Sequence, residues 1–436
     1  MAELTYSTKL DIRYDVDVFI AGGGPSGVAA AVAAARQGAS VFIAESFGAF
    51  GGAATTMLVP AYMTFGNGPF LAAGIGSEIY NYIKENAPGS YKKYCPMSIP
   101  VETLKLCCDK LVTDSGAKFL FHTTLIDVIV EDGTIKYAIC ASKGSNFAVK
   151  AKVFIDCTGD ADMSAFAGAE YEFGDEQGRV MATTLCGIWA GINWDETFGP
   201  DSRELDRAFA DGVFTNEDRH LPGIWKLADG VGGSNAGHVY DVDGGDAASL
   251  TEGIMKGRRQ LLEYRKYFRE YLNGYENAEL VWSGAYLGIR EGRRVTCEYR
   301  LVIDDFRRQA VFEDEIGRYC YNIDIHSPTN DKEGYETFIK DHTTLRYKKG
   351  ESYGIPYRTL TAKGFTNLLV AGRAICTDRY MQSSVRVMPG CYITGQAAGI
   401  AAHLAASGRT AVNAIDVHEL QARLVKLGAY LPNFKA

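Results

Sequence analysis

Proline is scarce in this chain, with 12 in 436 residues, and no stretch is dominated by any one residue type. Long disordered arms are therefore not expected, and 47% hydrophobic with 22% charged residues is the composition of a globular protein. A basic excess is also missing: 45 lysines and arginines face 53 acids and are spread along the chain. No global field attracts a polyanion, so nucleic acid is not an expected partner. No apolar run is long enough for a membrane helix, and the opening MAELTYSTKLDIRYD has no apolar segment behind its charges. A cytoplasmic protein with no membrane partner is the expectation. The ten cysteines and seven histidines contain no CxxC, HxxxH or HExxH. Iron–sulfur and zinc sites thus have no recognisable frame, no metal is expected, and the scattered cysteines read as reduced thiols.

What is present begins with length. A chain of 436 residues exceeds the size at which single cores stop growing, so two domains are expected. The most informative run is DVDVFIAGGGPSGVAAAVAAARQGASVFIAES. It reads as a buried strand, a glycine turn, an alanine-rich helix from Pro25 to Gln37, and a second strand from Ser40 to Ala44. In Gly22-x-Gly24-x-x-Gly27 the first glycine permits the turn, the second lets the backbone approach a pyrophosphate, and the third lets helix and strand pack. Glu45 follows 18 residues after Gly27, at the end of the second strand, where a carboxylate can accept from ribose hydroxyls. Gly51, Gly52 and Thr55 then form a further flexible backbone segment.

Between the ends, strand-like runs at 118–121, 125–131, 134–141 and 148–155 read as a meander before a last nucleotide-domain strand. Residues 166–355 are richer in aromatics and hold all four tryptophans. Late in the chain, an apolar strand at 367–371 ends in Gly372-Arg373, and a small-residue helix opens near Gly395.

The segments AGGGPSG, GAFGGAATT, VFIDCTGDADMSAFAGA, GIREGRRVTCEYRL, IPYRTL, NLLVAGR and RVMPGCYITGQAAGIAAHLA, in that order, resemble the FAD-dependent oxidoreductase family that includes xanthan-lyase-like proteins. That family is related to the fumarate reductase and glutathione reductase type flavoproteins. The resemblance implies an α/β fold: a discontinuous Rossmann-like FAD-binding domain (1–165 and 356–436) with an inserted α+β substrate or cap domain (166–355). It implies FAD as cofactor. Glu45 would hold the adenosine ribose, Gly51 and Gly52 would line the pyrophosphate and flavin passage, and Thr158, Gly159 and Asp160 would lie near the dinucleotide. Arg373 and the segment containing Gly395, Gln396 and Ala397 would close on the flavin. Pro25, Ser26, Ser46, Ala53, Ile126, Arg290, Gly372 and Met388 complete the implied cofactor set.

Hydride transfer at a flavin needs a proton acceptor or donor and a group that holds the substrate. His238 and His326 are the candidate proton acceptors, each with a structural role as the alternative. Tyr357, Arg358 and Arg386 sit where segments converge on the flavin, and a structural ion pair is the alternative for both arginines. Cys376 and Cys391 flank the same region, as thioether candidates or as plain packing. In GIREGRRVTCEYR, a strand reading would put Arg290 and Arg294 on one face and Arg293 on the other, an anion site on one side and a brace on the other.

No second glycine fingerprint with strand and helix context occurs, so a separate NAD(P)H domain is not expected. The expected partners are a small-molecule substrate and an electron donor or acceptor that the sequence does not identify; oligomeric state is not encoded, and a homo-oligomer is compatible with it. The expected activity is hydride transfer on a small polar molecule, oxidation of a sugar-type alcohol or reduction of an activated C=C bond. A non-redox dinucleotide-binding protein of thiazole-synthase type and an electron-relay subunit are the readings from other classes. The second would normally bring iron–sulfur cysteine clusters.

Overall fold

The computed structural model describes residues 4–87, 97–197, 202–220 and 223–435. Its central sheet has seven strands. Lys118–Leu120, Val41–Ala44, Ile12–Ala21 and Ser145–Asp156 lie side by side in parallel, and Thr134–Ser142 and Thr123–Glu131 extend the sheet antiparallel. Leu368–Val370 joins the far half of Ser145–Asp156, also in parallel. One long strand thus serves twice: its first half closes an antiparallel meander, and its second half, with Val153, Phe154 and Ile155 fully buried or nearly so, is a central parallel strand. The meander is correspondingly one strand shorter than the sequence suggests. Lys118–Leu120 is a parallel edge strand, and the positive φ at His122 (51°) turns the chain out of it.

The Pro25–Arg36 helix is short on bulk, so another helix can approach it closely. Met388–Gly408 lies against it, and the contact is made by glycines: a Cβ on Gly395 would sit 2.2 Å from Ser26 O, and one on Gly399 2.2 Å from Ala30 O. Backbones this close gain dispersion over a long seam, which explains four-residue spacing of small side chains. The first and last segments of the chain are therefore packed as one body.

A second, four-stranded antiparallel sheet is formed by Glu279–Ser283, Gly187–Ala190, Val231–Asn235 and Gly223–Ala228. The Ala247–Tyr271 helix, capped by Asp246, covers it, with Trp189, Tyr264, Tyr267 and Phe268 buried between. Residues 301–355 behave differently from the rest of the 166–355 region. Leu301, Phe306, Ile316, Tyr319, Ile323, Tyr353 and Ile355 share the core that holds Val28 and Ile400. The nine described cysteines are free, and Cys95 lies outside the described residues.

Candidate active site

The two sheets meet over a cavity of about 370 Å³ whose wall combines the ends of the parallel strands with residues of the second sheet. At one end lie Gly22, Gly24, Pro25, Ser26, Glu45, Ser46, Gly52 and Ala53. Gly22 has φ +92° and a Cβ there would lie 2.5 Å from Cys157 O, so only glycine makes this turn. Gly24 has open space where a Cβ would be, and its helix begins with no side-chain cap. Uncapped first-turn N–H groups opening onto a cavity are an anion site by construction.

Glu45 is buried, and each carboxylate oxygen accepts a backbone N–H, from Gly23 at 2.6 Å and Phe47 at 2.7 Å. Burial raises its pKa, and those two bonds oppose the shift. The same side chain therefore fixes the glycine turn and leaves lone pairs for a ribose. Beside it, Thr158, Gly159 and Asp160 line the wall with Gly372 and Arg373. The Arg373 guanidinium lies flat on Gly159, where a Cβ would be 2.6 Å from Nη1, and donates to Asp160 at 2.7 Å. Its Nε is buried with no hydrogen-bond partner.

Several residues in the expected cofactor set lie elsewhere. Gly27 is a packing position: a Cβ would sit 1.9 Å from Gly22 O. Gly51 (φ +101°) caps a short 3-10 turn, and Thr55 hydroxyl returns to Phe50 O at 2.6 Å, so both shape the passage from behind. Ile126 is outside the wall, which Thr124 and Leu125 supply. Gly395, Gln396 and Ala397 do not open a helix. The helix starts at Met388, with Pro389 in its first turn and no side-chain cap, and it is Val387 and Met388 that reach the cavity. Gly395 packs on Ser26, Gln396 bridges Ile75 N–H and Ala73 O, and Ala397 is in the core. The run of small residues marks a helix crossing rather than a helix start.

Tyr357 is buried with its hydroxyl donating to Val412 O at 2.6 Å, and Arg358 pairs with Asp314 while half exposed; neither lines the cavity. Cys391 lines it and donates to Arg386 O, whereas Cys376 does not line it.

The arginine cluster divides differently from a strand. Regular pairing begins only at Arg293, so strand alternation does not extend back to Arg290. Arg290 is buried on the cavity wall and donates to Ala182 O, Thr184 Oγ1 and Asn235 Oδ1 at 2.8, 2.9 and 3.2 Å. Arg294 is a brace on Glu291 (2.7 Å) and Gly174 O, Arg293 holds Asp160 O and Asp162, and Arg300 pairs with Glu172. Only Arg290 faces the cavity.

At the same end stand Asp324, His326, Arg386 and Asn235. His326 Nδ1 is 2.8 Å from His238 Nε2, and His238 Nδ1 is 2.8 Å from Asp218 Oδ2. The two histidines that the sequence offers as alternatives thus form one unit, of which only His326 lines this cavity. Burial pulls His238 down to about 4, against the attraction of Asp218, and burial with the charge of Arg290 pulls His326 well below the usual histidine range. Burial thus favours the neutral form of both rings. Burial works against ionisation of Asp218, but His238 and His220 hold it below the usual carboxylate range.

This fixes the tautomers. His238 Nδ1 and Asp218 Oδ2 lie 2.8 Å apart off the hydrogen-bond angle, but the carboxylate repels a bare ring lone pair at that distance, so the form with hydrogen on Nδ1 and an accepting Nε2 is favoured. His326 Nδ1 must then donate, which leaves its Nε2 with a free lone pair, 3.5 Å from Asp324 Oδ1. His220 contributes a third ring nitrogen within 4.8 Å of the other two, while its Nδ1 faces Asp218 at 3.2 Å. Metal–nitrogen bonds of ~2.0–2.1 Å would hold tetrahedral ligands about 3.3 Å apart. The 2.8 Å contact is instead that of a shared hydrogen. Asp218 and His220 carry no sequence signal beyond an Asp-x-His spacing, and their link to His238 is purely tertiary.

The chain belongs to a family of FAD dependent oxidoreductases, whose model matches residues 17–424. FAD is its cofactor and oxidation–reduction its class of reaction. The glycine cradle, Glu45, the unpartnered Arg373 Nε and the uncapped helix at Met388 fit that group. Among solved structures the chain is similar to a geranylgeranyl bacteriochlorophyll reductase-like protein from Thermoplasma acidophilum, at 13% identity over 95% of this chain and 83% of that one, with a TM-score of 0.46. It is similar to p-nitrophenol 4-monooxygenase PnpA from Pseudomonas putida at 11% identity, over 95% and 85% of the two chains, with a TM-score of 0.45. For THI4 from Thermovibrio ammonificans the values are 21% identity, 36% and 64% coverage, and a TM-score of 0.28. No curated protein matches the sequence. Among the described residues, no helix is long and apolar enough to cross a membrane.

Proposed function

We propose that this protein oxidises an alcohol carbon of a small polar molecule, with His326 Nε2 as the acceptor of the hydroxyl proton. The observation that carries the reading is the His238–His326 contact at 2.8 Å, which leaves a neutral imidazole with its free lone pair at the cavity. FAD, when bound, supplies the two-electron acceptor. The carbinol carbon gives up a hydride and its hydroxyl gives up a proton, which leaves a carbonyl; no other co-reactant is needed for this half of the cycle.

The chain's residues divide that work. Asp218 holds the His238 tautomer, His238 holds the His326 tautomer, and Asp324 lies where it would stabilise the imidazolium formed on His326. Reduction of an activated C=C bond would need a proton donor at the same place, and a neutral His326 with its hydrogen turned toward His238 is poorly arranged for that.

Anaerobic mixing of the FAD-loaded protein with sugars, hydroxy acids, amines and, after pre-reduction, enoates tests this reading. Bleaching of the oxidised flavin by alcohols supports it. Reoxidation of reduced protein by enoates, with no alcohol active, would replace it with the reductase reading.

A further inference from the structure

We infer that the substrate carries a carboxylate, and that Arg290 and Arg386 bind it; this rests on the alcohol-oxidation reading above for what happens to the substrate, but not for whether it binds. A buried guanidinium ordinarily has a carboxylate partner, because an unpaired buried charge is costly. Arg290 has three neutral partners, Ala182 O, Thr184 Oγ1 and Asn235 Oδ1, and among the described residues no carboxylate lies within ion-pair distance of it. Three of its five N–H groups are thereby used. The Nε hydrogen and one Nη2 hydrogen remain, and a carboxylate can accept from them.

Arg386 approaches the same end from the turn before Val387. Its Nη2 donates to Asp324 O at 3.1 Å and is 3.4 Å from Asp324 Oδ2, and its buried Nε has no partner. Asp324 is also claimed by His326 at 3.5 Å and by Tyr321 hydroxyl at 3.2 Å. Of the two guanidiniums only that of Arg386 reaches Asp324, and this carboxylate is itself divided among Arg386, His326 and Tyr321. The lining at this end of the cavity has two guanidiniums and one carboxylate, with the Asp218 carboxylate set back behind His238, so the wall itself suits a monoanion better than a neutral sugar. The glycine turn and the uncapped Pro25–Arg36 helix fit the pyrophosphate without these two arginines. The substrate class is a hydroxycarboxylate, either a 2-hydroxy acid or a sugar acid, with its carboxylate on the arginines and its hydroxyl toward His326.

Titration of the FAD-loaded protein with pyruvate, which cannot reduce the flavin by this reaction, and with uncharged methyl pyruvate separates binding from turnover. The flavin absorption spectrum reports occupancy, and a separate titration of stripped protein reports FAD affinity. Pyruvate is expected to bind at least tenfold more tightly than its ester. Arg290→Met and Arg386→Gln should each weaken pyruvate at least tenfold and leave FAD affinity within about twofold; Arg386→Gln serves if Arg290→Met does not fold. Equal binding of acid and ester, or a loss of FAD affinity in both variants with pyruvate binding unaltered, would overturn the inference. If pyruvate binds as expected but no hydroxy acid bleaches the flavin, the anion site stands and the oxidation reading fails.

Discussion

His238 Nε2 lies 2.8 Å from His326 Nδ1 although 88 residues separate them in the chain. The contact converts two loop histidines into one proton-handling unit, because the Asp218 carboxylate behind His238 determines which nitrogen of each ring carries hydrogen. Replacing Asp218 with Asn removes that bias. The rate of flavin reduction by the best reductant should fall by about 10²–10⁴, the usual worth of a positioned acid–base group, with FAD content unchanged. Stopped-flow absorbance under nitrogen checks it.

Proton linkage at His238 gives a stability prediction with a definite sign. The unfolded chain takes up a proton on this histidine near pH 6.5, whereas the folded chain resists until about 4. The unfolded state binds more protons in that window, so stability falls as the pH drops from about 6.5 to about 4. The slope per buried histidine is at most about 1.4 kcal/mol per pH unit. Melting temperature against pH should be steep there for the wild type and flatter for His238→Gln.

Glu45 accepts from two backbone N–H groups, and an amide can serve only one of them. Glu45→Gln leaves a buried donor facing another donor, which costs about 1–3 kcal/mol, and the turn it distorts is the one that fits the dinucleotide. FAD binding, followed by flavin fluorescence quenching, should weaken about 5- to 150-fold.

The two kinds of glycine in the glycine-rich runs should respond oppositely. A methyl at Gly395 meets Ser26 O at 2.2 Å, so Gly395→Ala should lower stability by about 1–3 kcal/mol, visible as a lower melting temperature with or without FAD. A methyl at Gly24 meets nothing within 4 Å and projects where a ligand would lie. Gly24→Ala should leave the stripped protein's melting temperature nearly unchanged and weaken FAD.

Arg358 and Arg386 look equivalent on paper, each in a short motif near the end of the chain. Arg358 pairs with Asp314 at 2.9 Å away from the cavity, so Arg358→Ala should leave flavin reduction within about twofold of wild type. A large loss in the same single-turnover assay would show that the helix and loop around it reach the site after all.

What could be read from the sequence is what is local. The first strand, glycine turn, helix, second strand and Glu45 lie within 34 consecutive residues, and their periodicity and turn chemistry act over that range. The start of the last cavity-facing helix is obscured in the sequence because glycine and alanine serve close helix packing as well as helix termini; Pro389 is the better signal for its first turn. A strand period would divide the arginines of GIREGRR between two faces, but regular strand structure begins only at Arg293. Asp218, His238 and His326 come from three loops brought together by the second sheet and the segment beneath it, and no spacing in the sequence encodes that.

The central claim is that His326 takes the substrate proton, and single-turnover flavin reduction in His326→Gln tests it most directly. The account predicts a variant that binds FAD and pyruvate as the wild type does, within about twofold, and reduces its flavin about 10²–10⁴ more slowly with the same hydroxy acid. Reduction at the wild-type rate, with both ligands still bound, would contradict it.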